Sequence, residues 1–325
     1  MQSRGAQQYK PGRAIHGTWL DFHHPNYREG DYWNDTTAQF TPEDWDAKIG
    51  EMIEAGMRHL VIMSVALRGR SFYPSQVIPE RWPLKTEDPI EAVLRAADAR
   101  GGRVYLGVGF FHEDTGRFLQ DPEGESVQRS VCSELAQRYA SHPSFAGWYL
   151  PVEAGVQGHF PDGYIEYTNT LGGICRRAAD QPVFIAPYGT RLIKPDDRFV
   201  EQLRQLEVDW LAWQDEVGVR KTRVDELPEI YERLVRTHQA AGRRLWMDIE
   251  IFVHEGEVYK SPLIPAPWER VRAQLEAIPL EVEEVLCYQY LGMMNKPGSP
   301  VFAGHPTSSA LYASYRAWRQ QLEEG

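Results

Sequence analysis

The feature that most limits how this chain can fold is a recurrence. Eight times along the 325 residues, a short run rich in β-branched and aromatic residues leads through a loop to a segment with apolar residues at helical spacing. The runs are HGTWLDFH (His16 to His23), LVIMSVAL (Leu60 to Leu67), VYLGVGFF (Val104 to Phe111), GWYLPVE (Gly147 to Glu153), VFIAPYG (Val183 to Gly189), VDWLAWQDEVG (Val208 to Gly218), LWMDIEIF (Leu245 to Phe252) and VLCYQYLGMM (Val285 to Met294). Nearly continuous apolar runs are what parallel strands covered on both faces require. Eight such units predict a closed (β/α)8 barrel of the α/β class rather than a doubly wound sheet.

Helix signals agree with this reading. Thr41-Pro42-Glu43-Asp44 opens a helix with an N-cap threonine and a proline at the first helical position. Asp88-Pro89 opens another, carrying Ile90, Val93, Leu94 and Ala97 on one face, and Val127, Val131, Leu135 and Tyr139 line a third. Tyr164 to Ala179 reads as a helix, Val224 to Ala241 as a long one ended by Gly242, and Leu311, Tyr312, Tyr315 and Trp318 form one stripe of a closing helix. A chain of this length with 42% hydrophobic residues can bury one large core, so residues 1–325 are expected to form a single domain, with 1–13 as a flexible N-terminal arm.

Charge and motifs narrow the function. The net charge of -11, without a Lys/Arg-rich run, argues against nucleic acid and against an anionic membrane surface as partners. Cys132, Cys175 and Cys287 are too few and too scattered for a disulfide framework or a paired-cysteine zinc site. The amino terminus lacks the apolar core of a secretory signal and no stretch is long enough to span a bilayer, so the chain as it stands reads as cytoplasmic, or as secreted or periplasmic if a leader has been removed. The first strand runs into Asp21-Phe22-His23-His24-Pro25 rather than a glycine-rich turn, and neither a phosphate loop, HExxH nor GxSxG occurs. No cofactor is expected.

In a closed parallel barrel, residues at the carboxyl ends of different strands converge on one mouth. The fourth run ends on Glu153 and the seventh carries Glu250 near its end, so two carboxylates about a hundred residues apart in sequence are expected to face each other. Facing carboxylates suit glycosidic chemistry. Glu153, after Pro151, is read as a general acid/base raised by Trp148 and Tyr149, against the alternative of a carboxylate paired to an arginine under a loop. Period two places Trp246, Asp248, Glu250 and Phe252 on one face of the seventh strand, with Glu250 as nucleophile or base and Asp248 as its hydrogen-bonding support. Asp215 is an equally balanced candidate for catalytic base or orienting group, and Glu216 is expected to cap a loop or helix.

Aromatic residues recur near the expected mouth, among them Trp19, Trp33, Tyr73, Tyr149, Trp213, Trp246, Tyr288 and Tyr290. Sugar C–H faces pack on such rings, although half of these residues are expected only to fill the core. Trp19, His23, Tyr149, Trp213, Gln214, Trp246, Asp248, Tyr288, Gln289 and Asn295 are the expected substrate-binding set. A histidine with Glu153, Asp215 and Asp248 would be the ligand set for a metal-dependent sugar isomerase or epimerase, the chief alternative enzyme class. A carbohydrate-binding barrel without turnover is the alternative from outside enzymology.

The segments GTWLDF, YPS after the second strand, AADARGGRVYLGVG, HPSFAGWYLPVE and WQDEVG, with the seventh-strand glutamate followed by Phe252, resemble a family of bacterial TIM-barrel proteins catalogued as a domain of unknown function of the DUF4434 type. The resemblance covers most of the chain. It implies a barrel with a sugar-processing site at Glu153, Gln214-Asp215 and Glu250. The acids after strands four and seven also resemble the layout of a large clan of retaining glycosidases. That clan usually has Asn before the fourth-strand acid, where this chain has Val152.

Overall fold

The structure, a computed structural model, describes residues 13–109 and 122–324. Residues 1–12 of the expected N-terminal arm, and Phe110 and Phe111 of the third run, lie outside the described residues. Eight strands close into a barrel: β1 Gly17–Leu20, β2 His59–Ile62, β3 Arg103–Gly107, β4 Phe145–Leu150, β5 Val183–Ile185, β6 Trp210–Gln214, β7 Arg244–Glu250 and β8 Glu284–Tyr288. Every neighbouring pair is parallel, and β1 pairs with both β2 and β8, so no strand edge is left open. This is a single-domain (β/α)8 barrel.

One principal helix follows each strand: α1 Pro42–Glu54, α2 Pro89–Asp98, α3 Pro122–Tyr139, α4 Tyr164–Ala178, α5 Asp197–Gln205, α6 Leu227–Ala241, α7 Trp268–Ala277 and α8 Ser308–Glu324. Local chemistry sets their ends. Thr41 caps α1 through a reciprocal box with Asp44, Asp88 caps α2 by accepting from Glu91 N, and Gly242 ends α6 at φ 67°, a left-handed turn that a side chain would strain. Helices α5 and α7 are short, bury only two and three side chains, and had no counterpart in the sequence reading. The strands are shorter than the sequence runs because each run continues past the barrel into its mouth loop. The second continues as the hairpin of Ala66–Leu67 with Arg70–Ser71, and the seventh as that of Phe252–His254 with Leu263–Pro265.

Two cores result. Outward-facing strand residues such as Leu245, Met247, Ile249 and Ile251 pack under the helices, whereas Trp19, Val61, Tyr105, Tyr149, Phe184, Trp210 and Trp246 fill the barrel's own interior. In its lower half Trp246 stacks on Trp210 with ring centroids 4.5 Å apart, and Phe184 stacks on Trp210 at 5.5 Å. This packing closes the barrel from below, and any reacting site is confined to the strands' carboxyl ends. Cys132 and Cys175 meet between α3 and α4 at 3.8 Å as free thiols.

Candidate active site

Strand β7 builds one side of the mouth. Its alternation sends Trp246 into the lower core and Asp248 and Glu250 upward on the same interior face, as the period-two reading expects. Register places Glu250 beside Tyr288 and Asp248 beside Gln214. Glu250 accepts from Val219 N at 2.8 Å. The loop comes this close because residue 218 is glycine: a Cβ there would stand 2.9 Å from Glu250 Oε2 and 2.8 Å from Phe252. Burial raises the Glu250 carboxyl to about 8, helped by the charge of Asp215 and opposed by the Val219 N–H and the Arg270 guanidinium.

Strand β4 builds the other side. Pro151 lacks an N–H and ends the ladder, so Val152 and Glu153 leave the sheet at the rim. Glu153 keeps partial exposure toward the cavity. Burial lifts its carboxyl to about 7, while the Gln214 amide and the Lys221 ammonium favour the ionised form. Gln214 is fixed by donating to Ala186 O at 3.0 Å. Val152, in the place where the glycosidase clan has Asn, contributes its carbonyl to the Tyr164 hydroxyl at 3.0 Å.

Glu153, Gln214, Asp248 and Glu250 line one cavity of about 450 Å3, floored by Trp19 and walled by Tyr288, Phe22, Phe72 and Phe252. Asp21 joins them as a further acid: Tyr288 Oη donates to its Oδ2 at 2.7 Å, and burial raises it to about 7. Buried Asp248 is also pushed well above the ordinary carboxyl range. The Trp19 indole lies near enough to favour its charge, yet among the described residues neither Trp19 Nε1 nor Asp248 Oδ1 completes a hydrogen bond of ordinary geometry. A buried polar atom without a partner is a position for a ligand hydroxyl or water. His23 lines the cavity stacked on Trp82 at 4.5 Å, and His24, which burial lowers to about 4, sits beside Glu29.

Several expected site residues lie elsewhere, each for a steric reason. Trp213 is one position out of phase with Ala212 and Gln214, so its indole points to the helical layer and donates to His238 Nε2 at 2.9 Å. Tyr149 and Trp246 do face the barrel axis but sit in the packed interior beneath the cavity. Asp215 is fully buried behind the mouth: Oδ1 accepts from Val217 N and Glu250 N, both at 3.1 Å, and Oδ2 accepts from Gln274 at 2.5 Å. It touches Glu250 through the backbone and does not line the cavity. Asn295 is sequestered under the last loop, accepting from Lys48 Nζ at 2.9 Å and donating to Ser308 Oγ at 2.8 Å. Gln289 is buried outside the cavity wall, near enough to Asp21 to favour its charge, though among the described residues neither amide atom completes a hydrogen bond of ordinary geometry. Trp33, Tyr73 and Tyr290 belong to the outer core. Glu216 caps a loop, as expected, by accepting from Gly189 N at 2.7 Å and Thr190 N at 3.2 Å.

The sequence reading missed Asp21, Glu29 and Arg68 as cavity residues. Asp21 was accessible to it, because Gly17, Trp19 and Asp21 share one face at period two. Glu29 and Arg68 were not, since they reach the cavity from loops. Among the described residues no group of three or more His, Cys, Asp or Glu is arranged to hold a metal ion, so the ligand set of Glu153, Asp215, Asp248 and a histidine is not assembled.

Comparison with known proteins places the chain. The sequence family described as "Domain of unknown function (DUF4434)" matches residues 15–301. No curated protein sequence matches. Among solved structures, one from Bacteroides thetaiotaomicron VPI-5482, provisionally assigned as an alpha-L-fucosidase, aligns with TM-score 0.73 at 20% identity over 98% of this chain and 99% of its own. An endo-beta-1,4-mannanase from Thermotoga petrophila aligns with TM-score 0.63 at 10% identity, covering 96% of this chain and 77% of its own. For a beta-galactosidase from Rahnella sp. R3 the values are 0.59, 12%, 98% and 57%, so this chain spans little more than half its length. At such identities the likeness is one of fold alone, the (β/α)8 barrel.

Proposed function

The chain belongs to the DUF4434 family, and on that footing we propose that it is a glycoside hydrolase in which Glu153 protonates the leaving oxygen and Glu250 acts on the opposite side of the glycosidic bond. The observation that carries the reading is that acids from β4 and β7, remote in sequence, line one aromatic-floored cavity. Gln214, Asp248 and Asp21 supply bonds to sugar hydroxyls, and Trp19 and Tyr288 supply apolar faces for the ring. The structural neighbours named as a mannanase and a beta-galactosidase support the same class of chemistry. Asp215 positions Glu250 from behind rather than touching substrate.

The reactive form needs one acid protonated and the other ionised. With Glu153 at about 7 and Glu250 at about 8, that balance is best met between those values, so turnover is expected to peak near neutral to mildly alkaline pH. Glu250 must be the ionised partner whether it attacks the sugar or activates water, so with these values the reactive form is a minority protonation state, which a positive charge developing on the sugar favours in the transition state.

The deciding experiment is turnover of a panel of aryl glycosides and polysaccharides by the wild type and by Glu153→Gln and Glu250→Gln. Each variant is expected to fold normally and lose roughly a thousandfold in kcat. Rates near the wild type in either would remove that residue from the chemistry. The anomeric configuration of the first-formed product, followed by NMR, reads whether Glu250 attacks the sugar directly or activates water.

A further inference from the structure

Beside the active cavity the mouth carries a second, shallower one. The two share His24, Pro25, Glu29 and Arg68, so a chain lying in one continues into the other. The outer wall of the second is formed by Tyr27 and Tyr259, which are 56% and 50% exposed although few large apolar side chains in the described residues are left in solvent. Neither ring is loose. Tyr27 packs edge-on to His23 at 4.6 Å and Tyr259 to His254 at 5.7 Å. Asn26 ties the loop after β1 to the hairpin after β7, donating to Glu29 Oε1 at 2.7 Å and to the Tyr259 carbonyl at 2.9 Å.

The charge of this cavity differs from that of the molecule. The chain carries a net -11, yet Arg28 and Arg68 both line the shallow cavity, and among the described residues neither forms an ion pair with a carboxylate. Arg68 spends one nitrogen on the Pro25 carbonyl at 2.8 Å, which steadies the guanidinium while leaving its other N–H groups available. Glu29, the acid of the wall, is held by Asn26 and lies 3.6 Å from His24. Arg68 and Tyr259 adopt left-handed backbone, at φ 51° and 64°, two of only four non-glycine residues to do so among the described residues. Non-glycine residues keep such conformations where the surroundings over-determine them, commonly at functional loops.

We propose that this shallow cavity is a subsite for an acidic sugar, a carboxylate-bearing unit of an oligosaccharide whose neighbouring unit occupies the active cavity. The exposed tyrosine rings take the C–H face of the sugar, and the unpaired guanidinium groups take the carboxylate, whose planar geometry they match. The inference rests on the sugar-processing reading of the adjoining cavity and adds a substrate class to it.

The test is calorimetric binding to the full chain carrying Glu250→Gln, which keeps bound sugar intact. The probes are uronate trisaccharides built from galacturonate, glucuronate or mannuronate, and the matching neutral trisaccharides. At least one uronate trisaccharide is expected to bind tenfold or more tightly than its neutral counterpart, with an affinity that falls as salt rises. Arg28→Gln with Arg68→Gln is expected to erase most of that tenfold preference, whereas Tyr27→Ala with Tyr259→Ala weakens acidic and neutral probes alike. Equal binding of acidic and neutral probes, no binding of either, or a preference that survives loss of both arginines would overturn the proposal. Failure of the hydrolase reading looks different: a wild-type protein that binds uronates selectively and cleaves none of them keeps the subsite and loses the activity.

Discussion

The lower and upper halves of this barrel are built from the same strands and obey opposite rules. Below, Trp210, Trp246, Phe184 and Tyr105 fill the interior ring against ring. Above, two to four residues further along, the inward positions are Asp21, Gln214, Asp248 and Glu250 around a cavity. Removing apolar rings from water stabilises the fold, whereas removing carboxyls from water without full hydrogen bonding costs free energy. The raised carboxyls of the upper half are the signature of that cost. Stability is thus concentrated beneath the site that spends some of it.

The sharpest way to break this contrast is to empty the lower half. Trp246→Ala removes a ring that is 2% exposed and stacked at 4.5 Å, and is expected to cost about 3–5 kcal/mol in urea unfolding. A loss below about 1 kcal/mol would mean that the floor is not where the fold is held. A smaller effect is expected from Asp215→Asn, because Asp215 meets Glu250 through the backbone N–H that it accepts from. With KM nearly unchanged, kcat should fall roughly ten- to a hundredfold. Asp215 also raises the Glu250 carboxyl, so the limb of the pH–rate profile that belongs to Glu250 should move to lower pH. An unmoved limb would assign Asp215 a purely structural role.

The smallest effect concerns stability against pH. Glu250 is raised from 4.5 to about 8 in the folded chain, so between those values the folded state holds more protons than the unfolded one. The contribution of this group to stability therefore falls as pH rises through that window. Glu250→Gln removes the penalty, so its thermal stability relative to the wild type should be higher at pH 8 than at pH 5. Equal differences at the two pH values would mean that Glu250 is ionised in the free protein.

Particular residues show how far the sequence could be read. Thr41, Asp88 and Gly242 marked helix ends correctly because capping is a local matter. Trp246, Asp248 and Glu250 were correctly assigned to one face because strand alternation is also local. Trp213 and Asn295 were misplaced for the same reason: both are polar-tipped or aromatic residues near strand ends, but one falls a single position out of phase, and the other is enclosed by Lys48 and Ser308, which arrive from remote parts of the chain. Helices α5 and α7 escaped notice because each is short and buries few side chains, Phe199 and Leu203 on α5 and Val271, Gln274 and Leu275 on α7.

The sequence alone determined the number and order of the barrel strands, and with them the closed barrel and the end at which Glu153 and Glu250 must emerge. Periodicity and capping act over a few residues, so they can be read without coordinates. Only the tertiary structure decided which acids share the cavity, that Asp215 stands behind Glu250, and that loops from three strands bring Glu29, Arg68 and Tyr259 to the rim. Those choices depend on contacts between residues as far apart as Asn26 and Tyr259, and on burial, which no local pattern encodes.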